Sequence, residues 1–235
     1  MSAPRLLVCY GGTFDPVHNG HLAIARGARD ALAARVALLP AHDPPHKAAT
    51  RATAAQRAEM LELAVAGEPG LAVDRRELAR SGPSYSVDTL AGLRSSLGPA
   101  APIAWLVGTD SLLQLHTWHR WRELFRLAHV LAVPRPGAAV DARRLAAQAP
   151  EVLAEIDGRW LPPAAMADSP CGGFALLPLP ELRPESSTEL RRRIAAGEAG
   201  WQAWVPPAVA AYIRRHGLYT GAGDILQATP ESDRP

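Results

Sequence analysis

The chain has 235 residues, 48% of them hydrophobic and 20% charged, with a formal net charge of +2. That length buries a real core and fits one large domain. The near-neutral balance lacks the basic stripe that nucleic-acid binding needs, so any basic character must be a local pocket. The two cysteines, Cys9 and Cys171, do not have the spacing of a zinc site or a disulfide framework. No apolar run is long enough to act as a signal segment or to span a bilayer, so a cytoplasmic protein with no membrane partner is expected.

In chain order, the apolar run at 6–10 stops at Gly11-Gly12 and reads as a buried strand. Residues 20–34 have a helical pattern, with Leu22, Ile24 and Ala25 on one side. A second strand at 36–39 is stopped by Pro40, and a helix follows over 54–65 with Met60, Leu61 and Ala64 at helical spacing. Residues 71–73 form a weak strand, 87–97 a helix ending at Gly98, and 103–107 a strand ending at Gly108. Residues 130–133 give a strand before Pro134, and 174–177 a last short one. Strands alternating with helices predict an α/β fold: a Rossmann-like, doubly wound parallel sheet with helices on both faces and a small helical C-terminal part over 184–219. One domain is expected over 1–220, with an Ala- and Pro-rich helical or loop insertion at 138–168 and a flexible tail at 221–235. Ligands of such sheets sit beyond the carboxyl ends of the strands, where strand order reverses.

The segment Gly11-Gly12-Thr13-Phe14-Asp15-Pro16-Val17-His18-Asn19-Gly20-His21-Leu22 lies between the first strand and the first helix. Its glycines let the backbone turn sharply and approach a ligand. It has neither the Walker pattern nor the G-x-G-x-x-G fingerprint, so it holds phosphate in another way. His18 and His21, three apart at a helix start, can aim both imidazoles to one side beside free amides, which makes a phosphate cradle. Asn19 is the expected N-cap. A surface loop pair is the alternative for the bare H-x-x-H.

The whole run resembles the signature of the H-x-G-H nucleotidyltransferase superfamily. It is more similar to the bacterial nicotinate-nucleotide adenylyltransferases than to phosphopantetheine adenylyltransferases, which commonly carry Ser at the place of Thr13 and Thr at that of His18. The resemblance extends over roughly residues 6–219, with motif order and spacing in agreement. It implies transfer of the adenylyl group of ATP to nicotinate mononucleotide, with Mg2+ accompanying ATP and no metal ligand from the protein. It implies that Gly11, Gly12, Thr13, Phe14, His18 and His21 surround the ATP phosphates.

The later motifs fit the same reading. Pro44-Pro45-His46-Lys47 presents positive charge on a loop stiffened by proline; the resemblance sends Lys47, and less firmly His46, to the triphosphate. Asp74-Arg75-Arg76-Glu77 reads as a solvated charged edge. The resemblance puts Tyr85 and Ser86 near the acceptor base, with backbone amides there contacting its carboxylate. Gly108-Thr109-Asp110-Ser111 ends a strand; Asp110 can cap the next helix, and its counterpart lies at the adenosine and acceptor pocket. In Thr117-Trp118-His119-Arg120-Trp121 a Trp-rich stretch reads as core, while the resemblance lays Trp118 flat against the acceptor's pyridine ring. His119 stands where relatives often have Tyr, and Arg135 is either an acceptor contact or a surface turn. Ser186 to Glu189 forms a capping box, and the helix it starts can also present amides and hydroxyls to phosphate. By resemblance Ser187, Thr188 and Arg191 serve that end, leaving Arg192 and Arg193 on a solvated face. Nicotinamide mononucleotide or phosphopantetheine as acceptor, or a nucleotide-binding module without turnover, are the alternative functions. The sequence leaves a homo-oligomer open.

Overall fold

The four apolar runs that close on glycine or proline become the middle of one sheet, because such runs must be covered on both faces. The computed structural model describes residues 6–42, 50–80, 82–134, 142–179 and 183–221. In order these form β1 (Leu7–Gly12), α1 (Asn19–Leu32), β2 (Arg35–Pro40), α2 (Ala54–Val65) and β3 (Leu71–Val73). Then come α3 (Ser86–Leu97), β4 (Ile103–Gly108), the short α4 (Thr109–Leu113) and α5 (Leu124–Leu127), and β5 (His129–Val133). The rest is α6 (Ala142–Gln148), α7 (Pro150–Ile156), β6 (Phe174–Leu176), α8 (Ser187–Ala195) and α9 (Pro207–Arg215). Predicted and observed strands agree to within two residues at their ends, and α2 has the predicted bounds. The insertion contributes α6 and α7, which bury Leu145, Val152 and Ile156.

The strand order is β3-β2-β1-β4-β5-β6, and every neighbouring pair is parallel. The chain winds one way from β1 to β3 and the other way from β4 to β6, so the order reverses between β1 and β4. Side chains alternate across β1: Val8 and Tyr10 join one core with α1, α2, α8 and α9, while Cys9 joins the other with α3, α5 and α7. Burial pushes the Cys9 thiol up to about 12, which leaves it an inert packing group. No helix among the described residues is long and apolar enough to cross a membrane.

The C-terminal part folds back onto the turn after β1. Tyr219 is 3% exposed and its hydroxyl donates to Asp15 Oδ1 at 2.8 Å. Burial and the neighbouring Asp15 charge push the Tyr219 phenol well above its ordinary range, so it stays a donor. A charge-assisted bond of this kind contributes about 1.5–3 kcal/mol. Tyr219→Phe keeps the ring and removes the donor, so urea unfolding should show a loss of that size. An unchanged midpoint would mean that this bond does not hold the C-terminus down.

Candidate functional site

The carboxyl ends of β1 and β4 open into two cavities that meet. The larger, about 420 Å3, is lined by the turn from Gly11 to Asp15, His21, Gly108, Asp110 and the start of α8 with Ser187, Thr188 and Arg191. Its walls also include Ile24, Leu106, Val107 and Val133, an apolar end suited to a flat base. The smaller, about 180 Å3, is lined by Glu77, Ser84, Tyr85, Ser86, Trp105, Gln114 and His119. Gly11, Gly12, Thr13, Ser111 and Trp118 face both.

The turn after β1 is built tightly. Phe14 adopts φ of 50°, a left-handed conformation that side chains rarely take, and its ring packs edge-on against Tyr10 and His21. His18, not Asn19, caps α1; Asn19 is the first helical residue and donates through Nδ2 to the carbonyl of Ala203 at 2.8 Å. The imidazoles of His18 and His21 lie against each other at a tilt of 31°, with centroids 3.7 Å apart. The His18 N–H donates to His21 Nδ1 at 3.3 Å, so neutral His21 carries its proton on Nε2. His21 lines the larger cavity, whereas His18 is buried at 6% exposure behind it. The Thr13 hydroxyl is buried and, among the described residues, has no hydrogen-bond partner, as a group reserved for a ligand would be.

The helix α8 supplies the opposite wall. Ser186 caps it, its hydroxyl accepting from the Glu189 N–H at 3.2 Å. The expected return bond of the capping box gives way to ion pairs: the Glu189 carboxylate takes Arg192 and Arg193, which hold it down to about 2. Arg192 also pairs with Glu198, and Arg193 lies 4.2 Å over the Trp204 ring, so neither is merely solvated. Ser187 Oγ donates to the carbonyl of Pro16 at 3.0 Å and Arg191 Nη1 to that of Asp15 at 2.6 Å. These two bonds dock the helix onto the turn and aim its first-turn amides and Arg191 at the cavity.

The smaller cavity has an aromatic rim, with the rings of Tyr85 and His119 4.4 Å apart. Ser86 opens α3 there, and Tyr85 is its cap residue. Asp110 does not cap α4; Gly108 holds that place, and Asp110 lies in the first turn facing the larger cavity.

Sequence-predicted groups therefore converge. Gly11, Gly12, Thr13, Phe14, His21, Gly108, Asp110, Ser187, Thr188 and Arg191 surround one cavity, and Tyr85, Ser86, Trp118 and His119 the other. His46, Lys47 and Arg135 lie outside the described residues. Glu77 corrects the reading of a solvated edge, since it is 4% exposed on the cavity wall. Arg57 was hidden as well: it is fully buried, and donates to the carbonyls of Thr13 at 2.7 Å and His42 at 3.2 Å. Its spacing from Met60, Leu61 and Ala64 puts it on the apolar face of α2, and that was the available signal.

Comparison with known proteins agrees with this geometry. A family model described as cytidylyltransferase-like matches residues 9–193. A protein of Stenotrophomonas maltophilia (strain K279a), named "Probable nicotinate-nucleotide adenylyltransferase", is 52% identical over 91% of this chain and 96% of its own length. A protein of Xylella fastidiosa (strain M12) with the same name is 45% identical over 94% of this chain and 99% of its own. Among solved structures, the Plasmodium falciparum nicotinic acid mononucleotide adenylyltransferase complexed with NaAD has a TM-score of 0.69 at 16% identity, covering 92% of this chain and 97% of that one.

Two of the glycines that border the cavities, Gly11 and Gly108, should respond differently to a methyl group. A Cβ on Gly11 would lie 2.6 Å from Cζ2 of Trp105, whereas one on Gly108 would meet nothing within 4 Å. Gly11→Ala should cost about 1–3 kcal/mol of stability by overpacking. Gly108→Ala should stay within about 0.5 kcal/mol. Equal unfolding midpoints for the two variants would contradict the close approach of Trp105 to β1.

Proposed function

Because the chain belongs to the cytidylyltransferase-like family, within its nicotinate-nucleotide adenylyltransferases, we propose that its two joined cavities divide one reaction between them. The chain transfers the adenylyl group of ATP to nicotinate mononucleotide, giving nicotinate adenine dinucleotide and pyrophosphate, a late step of NAD biosynthesis. The observation that carries the division is the shared wall of Gly11, Gly12, Thr13, Ser111 and Trp118. A nucleoside triphosphate in the larger cavity, facing Arg191 and the start of α8, and a ring in the aromatic one would bring their phosphates together there.

In this reading an oxygen of the acceptor's phosphate attacks the α-phosphorus of ATP in line. The bond from that phosphorus to the bridging oxygen breaks, and the electron pair leaves with pyrophosphate. A phosphate monoester is already ionised near neutral pH, so positioning and charge neutralisation suffice. His21 donates from Nε2 to a phosphate oxygen, with the buried His18 ring packed against it. Thr13, Thr188 and the first-turn amides of α8 donate to further oxygens, and Arg191 takes charge building on the leaving pyrophosphate. Lys47 and His46 serve the same triphosphate. Mg2+ arrives as part of the ATP complex, held mostly by phosphates and water. Trp118 stacks on the pyridine ring, Tyr85 and His119 border it, and amides at the start of α3 receive its carboxylate, with Arg135 on the acceptor side. The site works in the cytoplasm, and no nucleic acid enters the reaction; pairing with a second copy would leave it unchanged.

Two measurements test this. Pyrophosphate release should be faster with nicotinate than with nicotinamide mononucleotide, and should stop when EDTA removes Mg2+. His21→Ala should lower kcat by about 10²–10³, the usual loss for one preorganised charge-stabilising donor. Near-full turnover by that variant would take His21 out of the mechanism.

A further inference from the structure

Another cavity, of about 230 Å3, adjoins the larger one at Thr188 and Arg191, which line both. Its other described walls are Arg51, Arg192, Ala195 and Tyr219. Three guanidinium-bearing residues thus line one space, and among the described residues no carboxylate does. Their side chains are unequally engaged. Arg192 pairs with Glu189 and Glu198. Arg191 donates to the Asp15 carbonyl and, at 3.4 Å, to Thr188 Oγ1. Arg51 has no ion pair among the described residues; its guanidinium makes one hydrogen bond, at 3.4 Å, to the carbonyl of Gly221.

Cations gathered without an acid between them repel one another, and a bound anion relieves that repulsion. A guanidinium also presents a planar fork of donors that matches the oxygens of a phosphate. The walls are held in place by one residue. Asp15 Oδ2 accepts from the Arg51 backbone N–H at 2.8 Å, Oδ1 from the Tyr219 hydroxyl at 2.8 Å, and the Asp15 carbonyl from Arg191 at 2.6 Å. The approach to α2, the start of α8 and the C-terminal end therefore meet at this cavity in a fixed arrangement. A chance group of surface arginines would not share such an anchor. Only Ala195 and Tyr219 add apolar lining among the described residues, too little to receive a base, so the ligand that fits is a compact polyanion.

We propose that this cavity is an exit subsite for pyrophosphate: once the bond to the α-phosphorus has broken, the leaving group passes from Thr188 and Arg191 to Arg51 and Arg192. In the reverse direction the same subsite captures pyrophosphate and delivers it to the larger cavity. The proposal rests on the larger cavity being the ATP site.

The full chain and its Arg51→Ala and Arg51→Lys variants test this at fixed Mg2+. Arg51 is exposed and its backbone N–H survives in both variants, so unfolding midpoints should match the wild type. In calorimetric titration with pyrophosphate and no nucleotide, Arg51→Ala should raise Kd about tenfold, the effect of one charge-assisted hydrogen bond. Arg51→Lys keeps the charge without the fork and should fall between. The KM for pyrophosphate in the reverse reaction should rise with Kd, while the forward KM for ATP stays within about twofold. An ATP KM that rises as far as the pyrophosphate KM overturns the proposal, because Arg51 would then belong to the bound triphosphate. A wild-type Kd for pyrophosphate in Arg51→Ala overturns it as well. Inorganic phosphate binding the wild type as tightly as pyrophosphate would mean a general anion site and sink the assignment to the leaving group. Absence of wild-type turnover with nicotinate mononucleotide removes the functional reading, and the titration still decides whether the cavity holds pyrophosphate.

Discussion

A carboxylate taken out of water must find donors, and that of Asp15, 5% exposed, finds three. The backbone N–H groups of Arg51 and Ala52 donate to it at 2.8 and 3.1 Å, and the Tyr219 hydroxyl donates from the far end of the chain. The carbonyl of the same residue accepts from Arg191. One residue of the turn after β1 thus gathers the approach to α2, the start of α8 and the C-terminal end. Drift of this turn would move Gly12, Thr13 and Phe14 on the wall of the larger cavity. The buried charge makes drift expensive, because moving Asp15 away from these donors leaves it unpaired.

The site's electrostatics follow from that anchoring. Positive potential comes from fixed sources: the amides at the start of α8, the guanidinium of Arg191 and the directed proton of His21. None has to reorganise to meet an anion, and such preorganisation is what makes fixed charge effective. The smaller cavity differs in kind. It is lined by the rings of Tyr85, Trp118 and His119 and by Ser86 at the start of α3, a lining that selects by shape and angle more than by net charge.

Much of this was legible in the sequence. Apolar runs closed by Gly or Pro located β1, β2, β4 and β5, since both the buried face and the stop are local signals. The paired histidines and the serines and threonine before Leu190 were legible because each falls after a strand or at a helix start. What stayed hidden depends on distant partners. Glu77 sits among Asp74, Arg75 and Arg76, and a charge pattern in one dimension cannot tell a carboxyl folded against Thr89 from one in water. Tyr219 looked like the end of a helical segment, and only the fold brings it 204 residues back to Asp15. The cap of α1 is His18, whose backbone is extended, and Asn19 is already helical, with its Nδ2 donating to the distant Ala203 carbonyl.

Arg57 shows how such a residue ties together segments that border the cavities without lining them. Burial pushes its guanidinium below the usual range, and Asp15 and Tyr219 push it back up. It donates to two carbonyls, those of Thr13 and His42, on separate segments that flank the cavities. A lysine there would offer a point charge in place of a rigid fork, and could not hold two carbonyls at a set angle. The fork therefore fixes the distance between the phosphate turn and the chain leaving β2. The turn after β1 and the chain leaving β2 both border the adjoining cavities, and what ties one to the other is a guanidinium buried on the apolar face of α2.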